Sequence, residues 1–396
     1  MSRRFARLVG LTALAVVVLS GCGKHPLDTF DTDGTKAEDI TSLFYPVLGV
    51  AIFVFIVIQA ALVYMMIKYR TPKPGPDDDV RPGGYTDDDF PAQTHGNIRL
   101  EILWTIIPTA LLAVIAVFTL VTLFDLDDVE AGEEQLAVTV VGHQWWWEFQ
   151  YHLDGNTDSA PDFVTANEMV IPVGVDIPLV ITSRDVIHSY WIPRLNGKRD
   201  AVPGRNHPWV IQAKEVGRFA GQCTEFCGLS HAYMRMWTEA VSADDFDAWV
   251  EGQLQTQPLL AEGDPGYDGQ QLFIGNCQSC HVIVGVSERD RDGDGTVETD
   301  SWDLYLGADT YIDTGILTAG AAPNLTHFMS RQTFAGSYFD LYDEDGDLNR
   351  AQLEAWIRNA PDEKPNNWEN QQGMTPFTGL SATQVDDLVD YLSTLR

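Results

Sequence analysis

Two long uncharged apolar runs constrain this chain more than anything else in it. Leu43–Ile67 has no charged residue, with Gln59 as its strongest polar interruption, and Ile102–Phe124 is also uncharged. At about 1.5 Å rise per residue, a helix over either run outreaches the roughly 30 Å hydrocarbon core of a bilayer. The pattern predicts a transmembrane hairpin over 40–125, with spans at about 43–67 and 102–124. Lys68, Arg70, Lys73, Arg81 and Arg99 lie between the runs, whereas Asp125, Asp127 and Asp128 follow the second. The excess of positive residues places the connecting loop in the cytoplasm and everything after 125 outside it. Pro46 and Pro108 are expected near the ends of their spans, where a lost backbone donor costs least.

Residues 1–22 read as an export signal, with Arg3, Arg4 and Arg7 ahead of the apolar stretch Leu8 to Leu19. Leu19-Ser20-Gly21-Cys22 resembles a bacterial lipobox, which implies cleavage before Cys22 and acylation of that residue. An uncleaved anchor with an incidental cysteine is the alternative. Either way the chain emerges outside the cytoplasm, in agreement with the loop charges. The expected location is the bacterial cell (inner) membrane, with lipid as a partner. A formal net charge of −32 argues against nucleic acid and favours a basic protein partner or a solvated acidic surface. Five cysteines are too few for a disulfide scaffold of this length, and they fall at 22, at 223 and 227, and at 277 and 280.

Beyond Glu134 the texture changes. Apolar–polar alternation appears in Gln135–Val141, Glu168–Val173 and Asp176–Thr182, with further short strands at Ile187–Ile192, Trp209–Ala213 and Arg218–Gln222. Punctuated by Pro and Gly, this predicts an all-β antiparallel sandwich or barrel over 134–250. Its chemistry is concentrated near the end, where Cys223, Cys227, His231 and Met234 share one short segment and His188 lies upstream. Thiolate, imidazole and thioether form a soft ligand set suited to copper cycling between Cu(I) and Cu(II), and two cysteines in one loop can bridge two ions. Taken alone, the same residues also fit a Cys223–Cys227 disulfide, or zinc held with His188 and His231, with Met234 as core.

The segment Cys223-Thr-Glu-Phe-Cys227-Gly-Leu-Ser-His231-Ala-Tyr-Met234 resembles the CuA loop of cytochrome c oxidase subunit II, whose soluble domain is a cupredoxin-like barrel. The resemblance implies His188, Cys223, Cys227, His231 and Met234 as ligands of two copper ions, with Glu225 giving a backbone carbonyl to copper. It also implies that the Glu225 side chain reaches a shared magnesium at the interface with subunit I. No ligand position departs from the pattern. Gly142-His143-Gln144-Trp145-Trp146-Trp147 resembles the family's aromatic segment, in which the residue matching Trp145 receives electrons from cytochrome c. Three consecutive tryptophans cannot share one face of a strand, and Trp146 has packing as its plain alternative. Asp200, in Arg199-Asp200-Ala-Val-Pro203-Gly204-Arg205, matches an acidic residue of the donor-docking surface, or is a turn carboxylate. Glu101 opens Glu-Ile-Leu-Trp-Thr-Ile-Ile-Pro, the family's proton-channel mouth, or is an interfacial acid favoured by a helix dipole.

Gly252–Gly263 reads as a linker into a last domain over 262–396. There Cys277-Gln-Ser-Cys280-His281 is a haem-attachment motif: two thioethers clamp the vinyl groups and the histidine binds the iron. A Met/His cytochrome needs a second axial ligand. Met374, in Gly373-Met-Thr-Pro-Phe, resembles the methionine loop of class I cytochromes c, with Thr375 where proline is commoner. Met329 follows Pro323-Asn324-Leu325-Thr326-His327, which resembles the segment packing the haem face. Helices are expected at Tyr267–Asn276, Arg350–Asn359 and Ala382–Leu395, with Trp356 and Tyr391 packing the haem pocket. Two acidic runs, from Asp290 and from Asp343, imitate calcium loops imperfectly, and solvated loops are the expectation for both.

The order of hairpin, copper domain and all-α class I cytochrome c domain matches caa3-type oxidases. It implies an electron relay from the fused haem through copper to subunit I and its companion subunits, where oxygen is reduced and protons are moved. Cytochrome c or the cytochrome bc1 complex is the implied donor. The electron-accepting subunit of a copper-containing nitric oxide reductase would carry the same features. A calcium-binding surface lipoprotein would keep the acidic runs and bind no copper.

Overall fold

The structure, a computed structural model, describes residues 25–70, 96–127, 136–287, 322–370 and 372–396. The export segment with Cys22, the loop residues Lys73 and Arg81, Asp128, and the acidic run from Asp290 lie outside the described residues. The described chain divides into two compact units, the hairpin over 39–128 and the remainder.

The hairpin consists of α1 (Thr35–Lys68) and α2 (Ile98–Asp127), both long and apolar enough to cross a membrane. Their apolar surfaces are not covered by protein: Phe53, Phe55, Leu112 and Phe118 are each at least 60% exposed. Such a surface is stable against hydrocarbon rather than water. Both helices begin well before their apolar runs, which corrects the expected place of the prolines. Pro46 and Pro108 lie inside the helices, so the helical i−4 bonds to the carbonyls of Ser42 and Trp104 cannot form. Asn97 starts α2, its side-chain oxygen accepting from the amides of Arg99 at 3.1 Å and Leu100 at 3.4 Å.

The second unit opens on residues 25–38, which bind the strand domain. Arg194 pairs with Asp31 and Asp33, and a Cβ on Gly34 would lie 2.0 Å from the Leu195 carbonyl oxygen. The strand domain has ten strands: β1 (Ala137–His143), β2 (Trp146–His152), β3 (Phe163–Ala166), β4 (Glu168–Pro172), β5 (Ile177–Ser183), β6 (His188–Trp191), β7 (Lys198–Ala201), β8 (His207–Ile211), β9 (Gly217–Gln222) and β10 (Arg235–Val241). They form a five-stranded sheet in the order β3-β2-β1-β5-β8, a three-stranded sheet β4-β10-β9, and the pair β6-β7. The expectation of an antiparallel array holds only in part: β1 pairs parallel with β5, and β10 parallel with β4. Chain crossovers between the sheets impose this, and local alternation carries no sign of it. β2 and β10 lie outside the expected strands: β2 alternates apolar and polar residues only from Trp147 onward, at the end of the run of tryptophans, and the alternating buried positions of β10 include the polar Thr238. β1 is buried along its whole length, even at Thr139, whose hydroxyl meets His152 Nε2 at 3.2 Å. Trp147, Phe149, Tyr151, Leu179, Ile181 and Tyr190 fill the core.

The helix α3 (Ala243–Gln253) closes this domain, with Ser242 capping it by accepting from the Asp245 amide. It uses the first part of the expected linker, which therefore runs from 254. The last domain contains α4 (Tyr267–Asn276), a small ladder of β11 (Thr333–Phe334) and β12 (Phe339–Asp340), α5 (Arg350–Glu363) and α6 (Ala382–Leu392). The backbone of α5 departs from helical geometry at Asn359, two residues before Pro361, so its regular part ends close to the expected boundary. A capping box of Ser381 and Gln384 starts α6. The acidic run from Asp343 folds on itself, with Asp343 Oδ1 accepting from the amides of Asp345 and Asp347 at 3.0 Å each.

Tyr391 does not sit in the haem pocket as expected. It packs between α4 and α6, and its hydroxyl accepts from Gln270 Nε2 at 3.3 Å. Gly269 makes this helix crossing close: an added Cβ would lie 2.1 Å from Asp387 O and 2.6 Å from Tyr391 Cβ. Gly269→Ala is expected to lower the stability of the last domain by about 1–3 kcal/mol, read as a reduced thermal midpoint of its unfolding.

Candidate metal centres

The copper-loop residues fall in the connection between β9 and β10. Cys223 directly follows β9 and Met234 directly precedes β10, and the Cys223 amide donates to the Met234 carbonyl at 3.0 Å, closing the neck of the loop. The Thr224 amide donates to Ser189 O at 3.1 Å, which brings β6 and its first residue His188 alongside. Gly142 makes room for that imidazole, since a Cβ there would lie 2.8 Å from His188 Cδ2.

The result is one cluster. The Sγ atoms of Cys223 and Cys227 are 3.8 Å apart. His188 Nδ1 is 3.9 Å from Cys223 Sγ, His231 Nδ1 is 3.5 Å from Cys227 Sγ, and Met234 Sδ is 3.9 Å from Cys227 Sγ. The Glu225 carbonyl lies 3.3 Å from Cys223 Sγ, while the rest of that residue is exposed. All six sequence-derived positions therefore converge. Both cysteines are free. Sulfurs this far apart are not bonded, yet both lie within reach of one shared ion at metal–sulfur distances of about 2.3 Å. Hydrogen bonding from Cys227 pulls the Cys223 thiol down to about 4, with help from His188. Proximity to Cys223 in turn pushes Cys227 up, so the metal-free pair gives up one proton readily and the second reluctantly.

A surrounding layer aims these groups, and the sequence reading missed it. Burial opposes a charge on His188, but the Asp185 carboxylate, 2.8 Å from Nε2, raises its pKa overall and turns Nδ1 toward Cys223. Asp185 also accepts from the Gln144 amide at 2.6 Å. The Gln144 side chain and the Trp145 indole both donate to the Cys227 carbonyl, at 2.6 and 2.9 Å. The i, i+3 spacing of Asp185 and His188 was the available signal; Gln144 had none.

The last domain and the aromatic segment together line a cavity of about 510 Å³, within the size range of cofactor sites. Cys277, Cys280, His281 and Met374 all face it, as do Leu325, Trp356 and Trp145. Met329 is not among its lining residues and packs into the domain core instead. His281 Nδ1 donates to Pro323 O at 2.7 Å, which directs Nε2 elsewhere, and burial lowers its pKa so that the neutral imidazole prevails. Burial pushes the Cys277 thiol up to about 12. Free thiols, a neutral oriented imidazole and apolar walls fit a haem.

Trp145 is 5% exposed and does not lie on a strand, and Trp146 stacks on His143 with ring centroids 4.2 Å apart. Asp200 is exposed on β7, with its carbonyl accepting from His207 at 2.6 Å. Glu101 lies in the first turn of α2.

Comparison with known proteins covers the chain almost end to end. Family profiles match for the transmembrane domain of cytochrome c oxidase subunit II over 27–122, its periplasmic domain over 136–241, and cytochrome c over 267–396. Cytochrome c oxidase subunit 2 of Alkalihalophilus pseudofirmus is 34% identical over 99% of this chain and 97% of its own length. The subunit 2 of Bacillus sp. strain PS3 is 28% identical over 98% and 97%. A crystal structure of the periplasmic domain of subunit II from Bradyrhizobium japonicum is 31% identical, covering 31% of this chain and 96% of its own, with a TM-score of 0.28. With a hairpin, a two-cysteine copper loop and a haem-attachment motif in this order, the chain belongs to the cytochrome c oxidase subunit 2 family, in a form that carries a fused cytochrome c domain.

Proposed function

We propose that this subunit relays electrons from its own haem to a binuclear copper centre and on to subunit I of a haem–copper oxidase. His188, Cys223, Cys227, His231, Met234 and the Glu225 carbonyl would hold two coppers; Cys277, Cys280, His281 and Met374 would hold the haem. When bound, these groups supply one-electron carriers that change little in geometry. The observation that carries the reading is Trp145: its indole is bonded to the Cys227 carbonyl while the same residue lines the cavity of the haem motif. Buried at that junction, Trp145 receives electrons from the fused domain rather than directly from a soluble protein. The chain's task is to exclude water, keep the ligands in place and hold the two sites close.

The remaining assignments follow the same reading. Glu101, at the positive end of α2, serves as the mouth of a proton path into subunit I. The exposed Glu225 carboxylate reaches a magnesium shared with subunit I. Asp200 belongs to the acidic surface met by a basic donor, a cytochrome c or the cytochrome bc1 complex. The hairpin, together with a lipid on Cys22, anchors the chain in a bacterial cell membrane with its two redox domains outside the cytoplasm.

Metal analysis and EPR of the copper-loaded chain test the central claim. Two coppers per chain with a delocalised mixed-valence signal are expected, and Cys223→Ser should abolish that signal. A copper-free protein with a Cys223–Cys227 disulfide would overturn the reading. Met374→Ala should keep the haem covalently attached but lower its midpoint potential and remove the methionine–iron absorption, whereas Met329→Ala should do neither. Glu101→Gln in the assembled oxidase should slow proton uptake and leave the reduction of copper by the haem unchanged.

A further inference from the structure

We propose that Lys364 is a positioning residue: from the haem domain it clasps the backbone of Trp145 against the copper loop, and thereby sets the rate of electron transfer between the two centres. The proposal rests on the relay reading above and adds the element that fixes its geometry.

Lys364 lies just beyond α5, where its amide caps the helix by donating to Ala360 O at 3.0 Å. Its side chain then turns inward and is 4% exposed. The amine donates to two carbonyls, Trp145 O at 3.2 Å and Ala335 O at 2.8 Å. Among the described residues no carboxylate pairs with it. A buried amine is costly even when hydrogen-bonded, and a methionine of similar length would fill the space without that cost. What the lysine adds is a directional hold on two backbones from different domains. Burial keeps it down to about 7. Charged or neutral it retains at least two N–H groups, enough for both carbonyls, so the hold does not depend on its protonation.

The opposite jaw of the clasp is an unusual turn. Ala335, Gly336 and Ser337 have φ of 55°, 75° and 53°, three successive residues in the left-handed region. Non-glycine residues there are strained, and such strain persists where surrounding contacts impose it. Here the Arg235 amide, directly after Met234, donates to Gly336 O at 3.0 Å. A Cβ on Gly336 would lie 2.6 Å from both Trp145 O and Lys364 Nζ. The turn, the lysine and the tryptophan carbonyl thus close on one another with no room for a methyl group. The Trp145 side chain continues from this point to the Cys227 carbonyl at 2.9 Å. The step served is a one-electron exchange: the haem is oxidised by one electron, the copper pair is reduced by one, and no bond or proton changes place.

The test uses the assembled oxidase with Lys364→Met, Gly336→Ala, Trp145→Phe and the double variant Lys364→Met/Trp145→Phe. Two quantities are read: hydrogen exchange at the Arg235 amide and the haem-to-copper transfer rate after rapid reduction of the haem. Lys364→Met and Gly336→Ala should each speed exchange on the order of tenfold, as expected for lost hydrogen bonds. Each should slow transfer on the order of tenfold, because small misplacements are costly in preorganised sites. Haem and copper spectra should stay unchanged. The double variant should be no slower than Trp145→Phe alone, because both changes act on one path. Wild-type exchange and transfer in Lys364→Met, or an additive loss in the double variant, would overturn the proposal while leaving the relay intact. Wild-type transfer in Trp145→Phe would instead sink the role of Trp145 in the relay, and the clasp with it. If Lys364→Met does not assemble, Gly336→Ala carries the same comparison.

Discussion

The carbonyl of Cys227 is the acceptor around which the two-cysteine loop and the aromatic segment are joined. Two side chains from the aromatic segment, Gln144 and Trp145, donate to it at once. The backbone of Gln144 is held in turn by Asp185, and Asp185 orients His188. One carbonyl and one carboxylate therefore lock three separate loops together and hold the ligand atoms of the copper loop in one cluster. Preorganisation of this kind matters for an electron carrier, because a site that must rearrange with each electron pays for it in rate.

The same economy governs the junction between the copper and haem domains. Glu168 is a buried carboxylate that pairs with Arg218 of its own domain at 3.1 Å and accepts from the Gln332 amide and the Thr333 hydroxyl of the other. Lys364 reaches in the opposite direction. Buried polar groups of this kind are weak sources of stability but strong sources of geometric selectivity, because every misdocked arrangement leaves them unsatisfied. Covalent linkage through residues 254–266 keeps the two surfaces at high effective concentration. Tyr233 and Tyr338 meet edge to face across the junction, with centroids 4.7 Å apart.

Much of this was legible along the chain. The transmembrane helices follow from uncharged apolar runs, because hydrocarbon solvent demands them whatever the neighbours are. The thiol, imidazole and thioether positions follow from chemistry, because few other residue types bind copper or attach haem. Met374 was distinguished from Met329 by its surrounding loop, and of the two only Met374 lines the cavity. The parallel strand pairs, the placement of Pro46 and Pro108 inside their helices, and the removal of Tyr391 from the haem pocket were not legible. Each depends on which distant segment packs alongside, and local periodicity is blind to that.

The division has a physical basis. By itself the sequence determined the solvent each segment requires and the atoms available for coordination, since both are properties of single side chains and short spacings. Only the tertiary structure decided that Asp185 aims His188, that Trp145 is buried between the two centres, and that Lys364 closes on its carbonyl. Those facts arise from contacts between residues as far apart as Trp145 and Lys364. They exist only once burial has made an unsatisfied carbonyl or amine expensive enough to select a partner across the chain.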